Sequence, residues 1–478
     1  MTIVFDITRL LKRSANAVPT GIDRVVLAYA RRLLDRRPDT TIFMARWRLR
    51  SAALSPACVA DFIDAVSSRW EYGDEIMNKD ETARLEEFLA FPAGVFGRAA
   101  ATPDARPSRP ALLPLLPGIL SPQTIWQKTL RASPTRSGAV YLNVSHDGFN
   151  GRSQTGHWTQ AQRLKPVFLV HDLIPLSHAE YARPGEAERH RQRMQAVVSS
   201  AAAVIANSNH TKAVLAEFAA ENQVADLPIV VSPLGVENKF HADPLPDMIA
   251  RARHGGQPIP PYFLMIGTIE PRKNHLLILG LWRHLAEELG ERTPKLVIVG
   301  RRGWENENVI DMIERCRALQ PHVLECNRMS DHTLRRLMLG SRAILFPSFA
   351  EGYGLPLVEA LALRVPAICS DLAVFREVAG AIPEYLAPID GVGWLRIIQQ
   401  YAMPLSPARQ NQVARLSNFV TPTWDAHFDV VEQVVERARL GRPAEPASSQ
   451  PSPREMPRPG GADRTNVESA RSKRRRAI

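Results

Sequence analysis

At 478 residues the chain is too long for one ordinary hydrophobic core, and domain sizes call for two or three domains, with two the working number. Hydrophobic residues at 45% and charged residues at 23% are ordinary globular values, which excludes a chain disordered throughout. The net charge is +11, but residues 441–478 hold nine Arg and Lys against four Asp and Glu, so +5 belongs to that tail and the body is only moderately basic.

The four cysteines, Cys58, Cys316, Cys326 and Cys369, form no CxxC pair and no zinc-type spacing, and read as buried free thiols in a reducing compartment. The start, MTIVFDITRLL, has Asp6 where a signal peptide carries basic residues, and no apolar run approaches the ~20 residues that span a bilayer. A cytoplasmic protein is expected. The basic excess leaves open peripheral contact with anionic membrane at the inner face, while no nucleic-acid partner is expected.

In chain order, TIVFDIT reads as a short buried strand, followed by a polar loop ending in Pro19, Thr20 and Gly21 and by a helix over IDRVVLAYARRLLDRR. Gly21 lets backbone approach a ligand closely, and Arg24 one turn on reaches an anion; a loop glycine and a surface arginine are the plain alternative. From Phe91 to Gly138 the composition turns to proline, alanine and arginine without periodicity, a long and partly mobile insertion. AVYLNVS, KPVFLVHDLIPL, AAAVIANSNHTKAVLAEFAA and PIVVSPLGV then restore the pattern of a parallel α/β sheet. His171 stands where one of these strands gives out, the position that chemistry favours in such sheets. Ser208 or Asn209 caps the following helix.

A second series begins after about residue 245: YFLMIGT, KLVIVG, HVLECN, AILFPS and PAICSD are short strands spaced for intervening helices. Arg272 and Lys273 fall in the loop after the first of them, where a planar fork and a point charge suit a diphosphate. SFAEGYGLPLVEALA places Glu351 in a loop and Glu359 eight positions later inside a helix that starts at Pro356. Free amides at that helix start favour an anion, and a carboxylate accepts hydrogen bonds from paired hydroxyls, so a ligand with both phosphate and hydroxyl groups fits. No GxGxxG or P-loop stands in a strand-to-helix context, which argues against dinucleotide enzymes and P-loop NTPases. No Asp-x-Asp or histidine cluster forms a metal site; Asp331 and Asp371 stand alone. Helical patterns continue through VGWLRIIQQYA and TWDAHFDVVEQVVERARL, and the proline-rich, basic remainder reads as disordered.

As a set these residues resemble the retaining glycosyltransferases of the GT-B fold, in particular family 4 (glycosyl transferases group 1), which includes bacterial mannosyltransferases. FAEGYGLPLVEALA is similar to the E-x7-E motif, supported by IGTIEPRKNH, VSPLGV, GRRGW, SNHTK, HDLIPL and TGIDRV, over about residues 1–90 and 138–440. The resemblance implies an α/β fold of two Rossmann-like domains with parallel sheets facing across a cleft. The expected division is an acceptor-side domain over 1–245, with 91–138 as its insertion, and a nucleotide-sugar domain over 246–423. A helix over 424–440 then crosses back to the first domain, and 441–478 is the tail.

By the same resemblance, Lys273 contacts the donor diphosphate and Arg272 stands in for an arginine that many members carry where this chain has Thr268. Glu351 meets the transferred sugar and Glu359 the ribose hydroxyls. Gly352, Tyr353, Gly354 and Leu355 belong to the donor-binding loop, Gly21 lies near the diphosphate, and His171 near the sugar. The implied activity is a retaining, metal-independent transfer, without a cofactor beyond the nucleotide-sugar substrate, to a glycan or lipid-linked acceptor in cell-surface polysaccharide assembly. GDP-mannose is the expected donor. The competing readings are a non-catalytic GT-B module that binds a sugar nucleotide, and a sugar-nucleotide epimerase on the same fold.

Overall fold

The computed structural model describes residues 1–90 except 17, 48, 49 and 78, then 138–146, 159–241, 253–254, 257–258 and 260–441 except 328. The proline-rich segment up to residue 137 and the tail from residue 442 lie outside the described residues, as do the expectations attached to them.

The first sheet is built from β1 (Ile3–Asp6), β2 (Thr41–Trp47), β3 (Arg50–Leu54), β4 (Val140–Asn143), β5 (Lys165–Val170), β6 (Ala203–Ala206) and β7 (Ile229–Val231). Their order is β3-β2-β1-β4-β5-β6-β7, parallel except for β3, which runs antiparallel to β2. A two-strand ribbon follows, β8 (Arg253–His254) with β9 (Gln257–Pro258). The second sheet holds β10 (Tyr262–Ile266), β11 (Lys295–Val299), β12 (Val323–Cys326), β13 (Ile344–Phe346), β14 (Ala367–Ser370) and β15 (Glu384–Leu386). It is parallel throughout in the order β12-β11-β10-β13-β14-β15. β1, β4, β6, β11 and β14 are buried along their whole length, as parallel strands covered on both faces must be.

In each sheet the order reverses beside the first strand, between β1 and β4 and between β10 and β13. Ligands of doubly wound sheets sit outside the carboxyl ends at that reversal. The segments that arrive there are residues 7–16 and 18–21, His146 and His171 from the first sheet, and residues 267–274 and 348–354 from the second.

One apolar cluster runs through both halves, with Phe5, Leu142 and Phe240 connected to Leu264, Phe346 and Leu357. Separate clusters cover the other face of each sheet, around Trp282 and Trp394 in the second and Tyr141, Phe168 and Met194 in the first. The helix Trp424–Leu440 buries Phe428, Val431, Val434 and Val435 against β4, β5 and β6 of the first sheet. His427 fixes its first turn, with Nε2 at 2.7 Å from the Tyr29 hydroxyl and Nδ1 at 2.8 Å from Ser232 Oγ. Gly235 is required where the chain crosses, because a Cβ there would stand 2.2 Å from the Trp424 nitrogen.

Several elements depart from the sequence expectation. The strands β2, β3 and β15 and the helices Thr8–Arg13, Pro56–Met77 and Lys79–Ala90 were not foreseen. Gly21 is the first residue of its helix, capped by Thr20 in a capping box with Asp23. Of the cysteines, only Cys326 and Cys369 are buried; Cys58 and Cys316 are half-buried, because each lies near a helix end rather than in a strand, and none of the four is in a disulfide. Among the described residues no helix is long and apolar enough to cross a membrane.

Candidate functional site

The second sheet brings three of the expected residues into contact. Beyond β10, Gly267 adopts φ +140, and a Cβ there would crowd Lys273 Cε at 3.3 Å, so the glycine makes room for the lysine side chain. Arg272 and Lys273 occupy a single 3-10 turn, Pro271–Lys273. Asn274 ends it in the left-handed region, where its amide donates to Pro347 O at 3.1 Å and Pro388 O at 2.8 Å. That brace faces both side chains toward the loop after β13. There Glu351 accepts from Arg272 Nη1 at 2.7 Å, Lys273 Nζ at 2.5 Å and Ser348 Oγ at 2.7 Å. Arg272 also donates to Ala350 O at 2.9 Å and pairs with Glu270 at 2.6 Å.

Burial alone would raise the Glu351 pKa, but Arg272 and then Lys273 outweigh it and hold the carboxyl at about 2. The Arg272 guanidinium, costly to bury by itself, is kept charged chiefly by Glu351 and Glu270. His275, directly after, is pushed down to about 3 by burial and by Lys273.

The Glu351 loop touches the first domain. A Cβ on Gly352 would lie 2.5 Å from His171 O and 2.7 Å from Asp172 Cβ, so only glycine allows the loop to meet the end of β5. Gly352 O accepts from Ser208 Oγ at 3.2 Å and Thr211 Oγ1 at 3.3 Å. Gly354 sits at φ +93 as the cap of the helix Leu355–Ala362, and a Cβ there would strike Phe375. Among the described residues the N–H groups of Gly352, Tyr353 and Gly354 donate no hydrogen bond. The Tyr353 side chain is buried and turned away, its hydroxyl donating to Leu234 O at 2.9 Å.

His171 is buried, with Nε2 at 2.8 Å from Val144 O and its backbone N–H donating to His146 Nε2 at 3.0 Å. Burial pulls its pKa well below the usual histidine value, so the ring is neutral at pH 7. Gly21 lies against Leu355, whose Cδ1 would be 3.3 Å from an added Cβ.

Glu359 stands in a different group. It is buried, yet among the described residues its carboxylate accepts no hydrogen bond. Burial, reinforced by Asp331 and Glu237 and only partly offset by Arg24, raises its pKa to about 7. Arg24 is a correction: it is not free for an anion, but is bidentate on Asp331, with Nη1 at 2.7 Å from Oδ2. Lys239 pairs with the same carboxylate at 2.6 Å. Asp331, which stands alone in the sequence, is therefore the centre of an ion-pair group, because a buried carboxylate at a helix start draws cations from two other segments. Asp371 likewise pairs with Arg376 at 2.5 Å. Ser348, Glu270 and Lys239 were missed; their partners lie 3, 2 and 92 positions away, and only the first two spacings are visible as motif neighbours. Among the described residues no group of three or more His, Cys, Asp or Glu is arranged to hold a metal ion.

Residues 249–381 match the family described as glycosyl transferases group 1. That span contains Arg272, Lys273, Glu351 and Glu359. The chain resembles the group 1 glycosyltransferases. Relatives include the serotype-specific mannosyltransferase WbdA of Escherichia coli, 30% identical over 256 residues, which are 50% of this chain and 31% of WbdA. The O-antigen chain mannosyltransferase B of Escherichia coli is 37% identical over 119 residues, 25% of this chain and 31% of that protein. The chain thus spans about a third of the length of these two relatives. Among solved structures, Anabaena Alr3699/HepE in complex with UDP and glucose aligns with TM-score 0.53 and 12% identity, over 91% of this chain and 100% of that one. The fold is GT-B, two Rossmann-like domains across a cleft, the second sheet parallel and the first parallel except for its edge strand β3.

Proposed function

We propose that the protein is a retaining glycosyltransferase that moves a sugar from a nucleotide-sugar donor to a glycan or lipid-linked acceptor in cell-surface polysaccharide assembly. The observation that carries this reading is the group in which half-buried Arg272 and Lys273 and buried Ser348 all donate to buried Glu351 at the reversal of the second sheet, facing His171 across the Gly352 contact. GDP-mannose is the proposed donor, supported by relatives that are named mannosyltransferases.

In this reading Lys273 and Arg272 hold the donor diphosphate, and the unbonded N–H groups of the Gly352 to Gly354 loop are donors to sugar and phosphate. The leaving diphosphate gains negative charge as the glycosidic bond breaks. Two cations fixed by Glu351 and Glu270 are already oriented for that charge, which is the condition under which electrostatic stabilisation is strongest. Glu351, ionised at any physiological pH, lies beside the oxocarbenium-like sugar. The departing phosphate oxygen accepts the proton of the attacking hydroxyl on the same face, so configuration is retained. No metal or other cofactor takes part in this scheme. His171, neutral with Nε2 anchored on Val144 O, lines the sugar from the first domain. Glu359, buried and without a hydrogen-bond donor among the described residues, is suited to two ribose hydroxyls.

The test is a panel of nucleotide sugars, GDP-mannose first, assayed for nucleotide release with a mannoside acceptor, and NMR of the product anomer. Release that depends on Lys273 and a product of the donor's configuration is expected. Binding without turnover of any donor would favour the non-catalytic module, and an inverted product would overturn the same-face mechanism.

A further inference from the structure

His171 stands one residue past the last pair of the β5–β6 ladder, Val170 with Ala206, and three past the last β4–β5 pair, Asn143 with Phe168. Its backbone groups are met by side chains instead of by the neighbouring strands. On the β4 side the His171 N–H donates to His146 Nε2 at 3.0 Å. On the β6 side the His171 carbonyl accepts from Asn207 Nδ2 at 2.9 Å. The segment after β4 that supplies His146 also supplies Val144 O, which lies 2.8 Å from Nε2 of the His171 ring. Val144 and His146 together hold both the ring and the backbone of that residue.

A carbonyl oxygen only accepts, so Nε2 of the neutral His171 ring carries the proton and Nδ1 keeps its lone pair. Among the described residues Nδ1 makes no hydrogen bond. The His146 ring is fixed between two others, with its centroid 5.1 Å from that of His171 at 62° and 5.9 Å from that of His190 at 66°. His190 is tied in turn to Arg193, Nδ1 to Nη1 at 3.1 Å. The His146 backbone sits at φ +58, a region uncommon outside glycine that His, Asn and Asp visit more often than other residues. To accept from an N–H, its Nε2 must be unprotonated. Burial, then His171, His190, Arg193 and Arg9, keep the His146 pKa well below the usual histidine value, so that condition holds at pH 7.

We propose that His146 is a positioning residue for His171: its Nε2 takes the N–H that the strand ladder leaves over, and so fixes the backbone from which the His171 ring offers Nδ1 to a hydroxyl of the transferred sugar. This rests on the proposed function, in which His171 lines the sugar. His146 acts only through His171. The His171 carbonyl is also the atom against which Gly352 packs, so a shift of this backbone reaches the Glu351 loop as well.

The experiment compares two replacements in the full chain. His146→Asn suits the left-handed backbone at least as well as histidine but carries its amide short of the Nε2 position, whereas His146→Gln restores an acceptor there. With the donor that the panel identifies, kcat should fall about tenfold in His146→Asn, the order of one buried donor left unpaired. It should return to within about threefold of the parent in His146→Gln, while the dissociation constant of the released nucleotide, by calorimetry, moves less than twofold in both. His171→Gln combined with His146→Asn should be no slower than His171→Gln alone, because one residue acts through the other. A role in backbone structure alone predicts the opposite order, with Asn at least as good as Gln. Hydrogen exchange of the His171 amide gives a readout independent of turnover, followed by NMR of protein labelled with 15N-histidine and assigned by its loss in His171→Gln. Exchange should be about tenfold faster in His146→Asn and parent-like in His146→Gln. A parent that releases nucleotide from no donor defeats the proposed function, and the exchange rates then judge the His146 contact by themselves. Turnover of His146→Asn within twofold of the parent, Gln no better than Asn, additive losses in the double variant, or unchanged exchange would overturn the proposal.

Discussion

Glu351 and Glu359 belong to one motif and are 8% and 6% exposed, yet their surroundings have opposite effects. Glu351 meets two cations and a hydroxyl and is held ionised, at about 2. Glu359 shares Arg24 with Asp331 and Glu237, receives no hydrogen bond among the described residues, and rises to about 7. Burial is the same adverse contribution in both. The neighbours decide the outcome, so two identical side chains eight positions apart are equipped for different tasks: a permanent negative charge in one place and an unsatisfied acceptor in the other.

The sharpest way to break this contrast is to remove a cation from Glu351. Lys273→Ala is expected to lower turnover about 10³-fold, the upper range for loss of one preorganised group facing developing charge. It also leaves a buried carboxylate with one partner fewer, which costs about 3 kcal/mol when a buried pair is broken, so the melting temperature falls as well. Steady-state kinetics with the active donor and a thermal melt give the two readouts. Turnover within threefold of the parent would remove Lys273 from the mechanism.

The two glutamates can next be set against each other. Glu351→Gln should reduce kcat about 10²-fold with little change in nucleotide affinity, since it loses a charge felt mainly in the transition state. Glu359→Gln should weaken nucleotide binding about tenfold, roughly one lost charge-assisted hydrogen bond, and leave kcat within a few-fold. A 2′,3′-dideoxy nucleotide, which lacks both hydroxyls, should bind Glu359→Gln and the parent nearly alike. Equal and small effects of both substitutions would end the division of labour.

The strands around Glu351 were legible in the sequence because parallel strands buried on both faces leave uninterrupted apolar runs, and YFLMIGT, KLVIVG and AILFPS are such runs. The capped helix after Gly354 was legible from its proline. Less regular strands were not: β2 and β3 carry Arg46 and Arg50, and β15 is only Glu384–Leu386, too short for a period. Arg24 shows the same limit at the site. Its charge was visible, but its partner Asp331 is 307 positions away, and no local spacing announces a contact between domains. The contact of Gly352 with His171 O is of that kind too, although both residues were separately marked by motif.

The pH dependence of stability separates the glutamates by sign. Glu359 has a folded pKa of about 7 against an ordinary 4.5, so the folded state binds its proton more tightly than the unfolded state. Stability falls as pH rises from 4.5 to about 7, and the penalty is complete above that. Glu359→Gln should therefore stabilise the protein relative to the parent by about 3 kcal/mol at pH 8 and by nothing at pH 4. Glu351, held at about 2, does the reverse: its contribution is present above 4.5 and is lost as pH falls toward 2. Denaturant midpoints from pH 3 to 8 test both signs, and a Glu359→Gln difference that is flat with pH would show that Glu359 is already matched.

Ser348→Ala is the finest cut. The Ser348 hydroxyl donates to Glu351 Oε1 at 2.7 Å, the same oxygen that Lys273 holds. It is the weakest of the influences that lower the Glu351 pKa, behind Arg272 and Lys273. Its loss should cost about 1 kcal/mol, a fall in kcat of less than tenfold, and should leave Glu351 ionised down to pH 4. An acid limb of kcat that moves into the pH 4–5 range in Ser348→Ala would mean that the hydroxyl, rather than the two cations, keeps Glu351 charged, and the contrast with Glu359 would then rest on a single hydrogen bond.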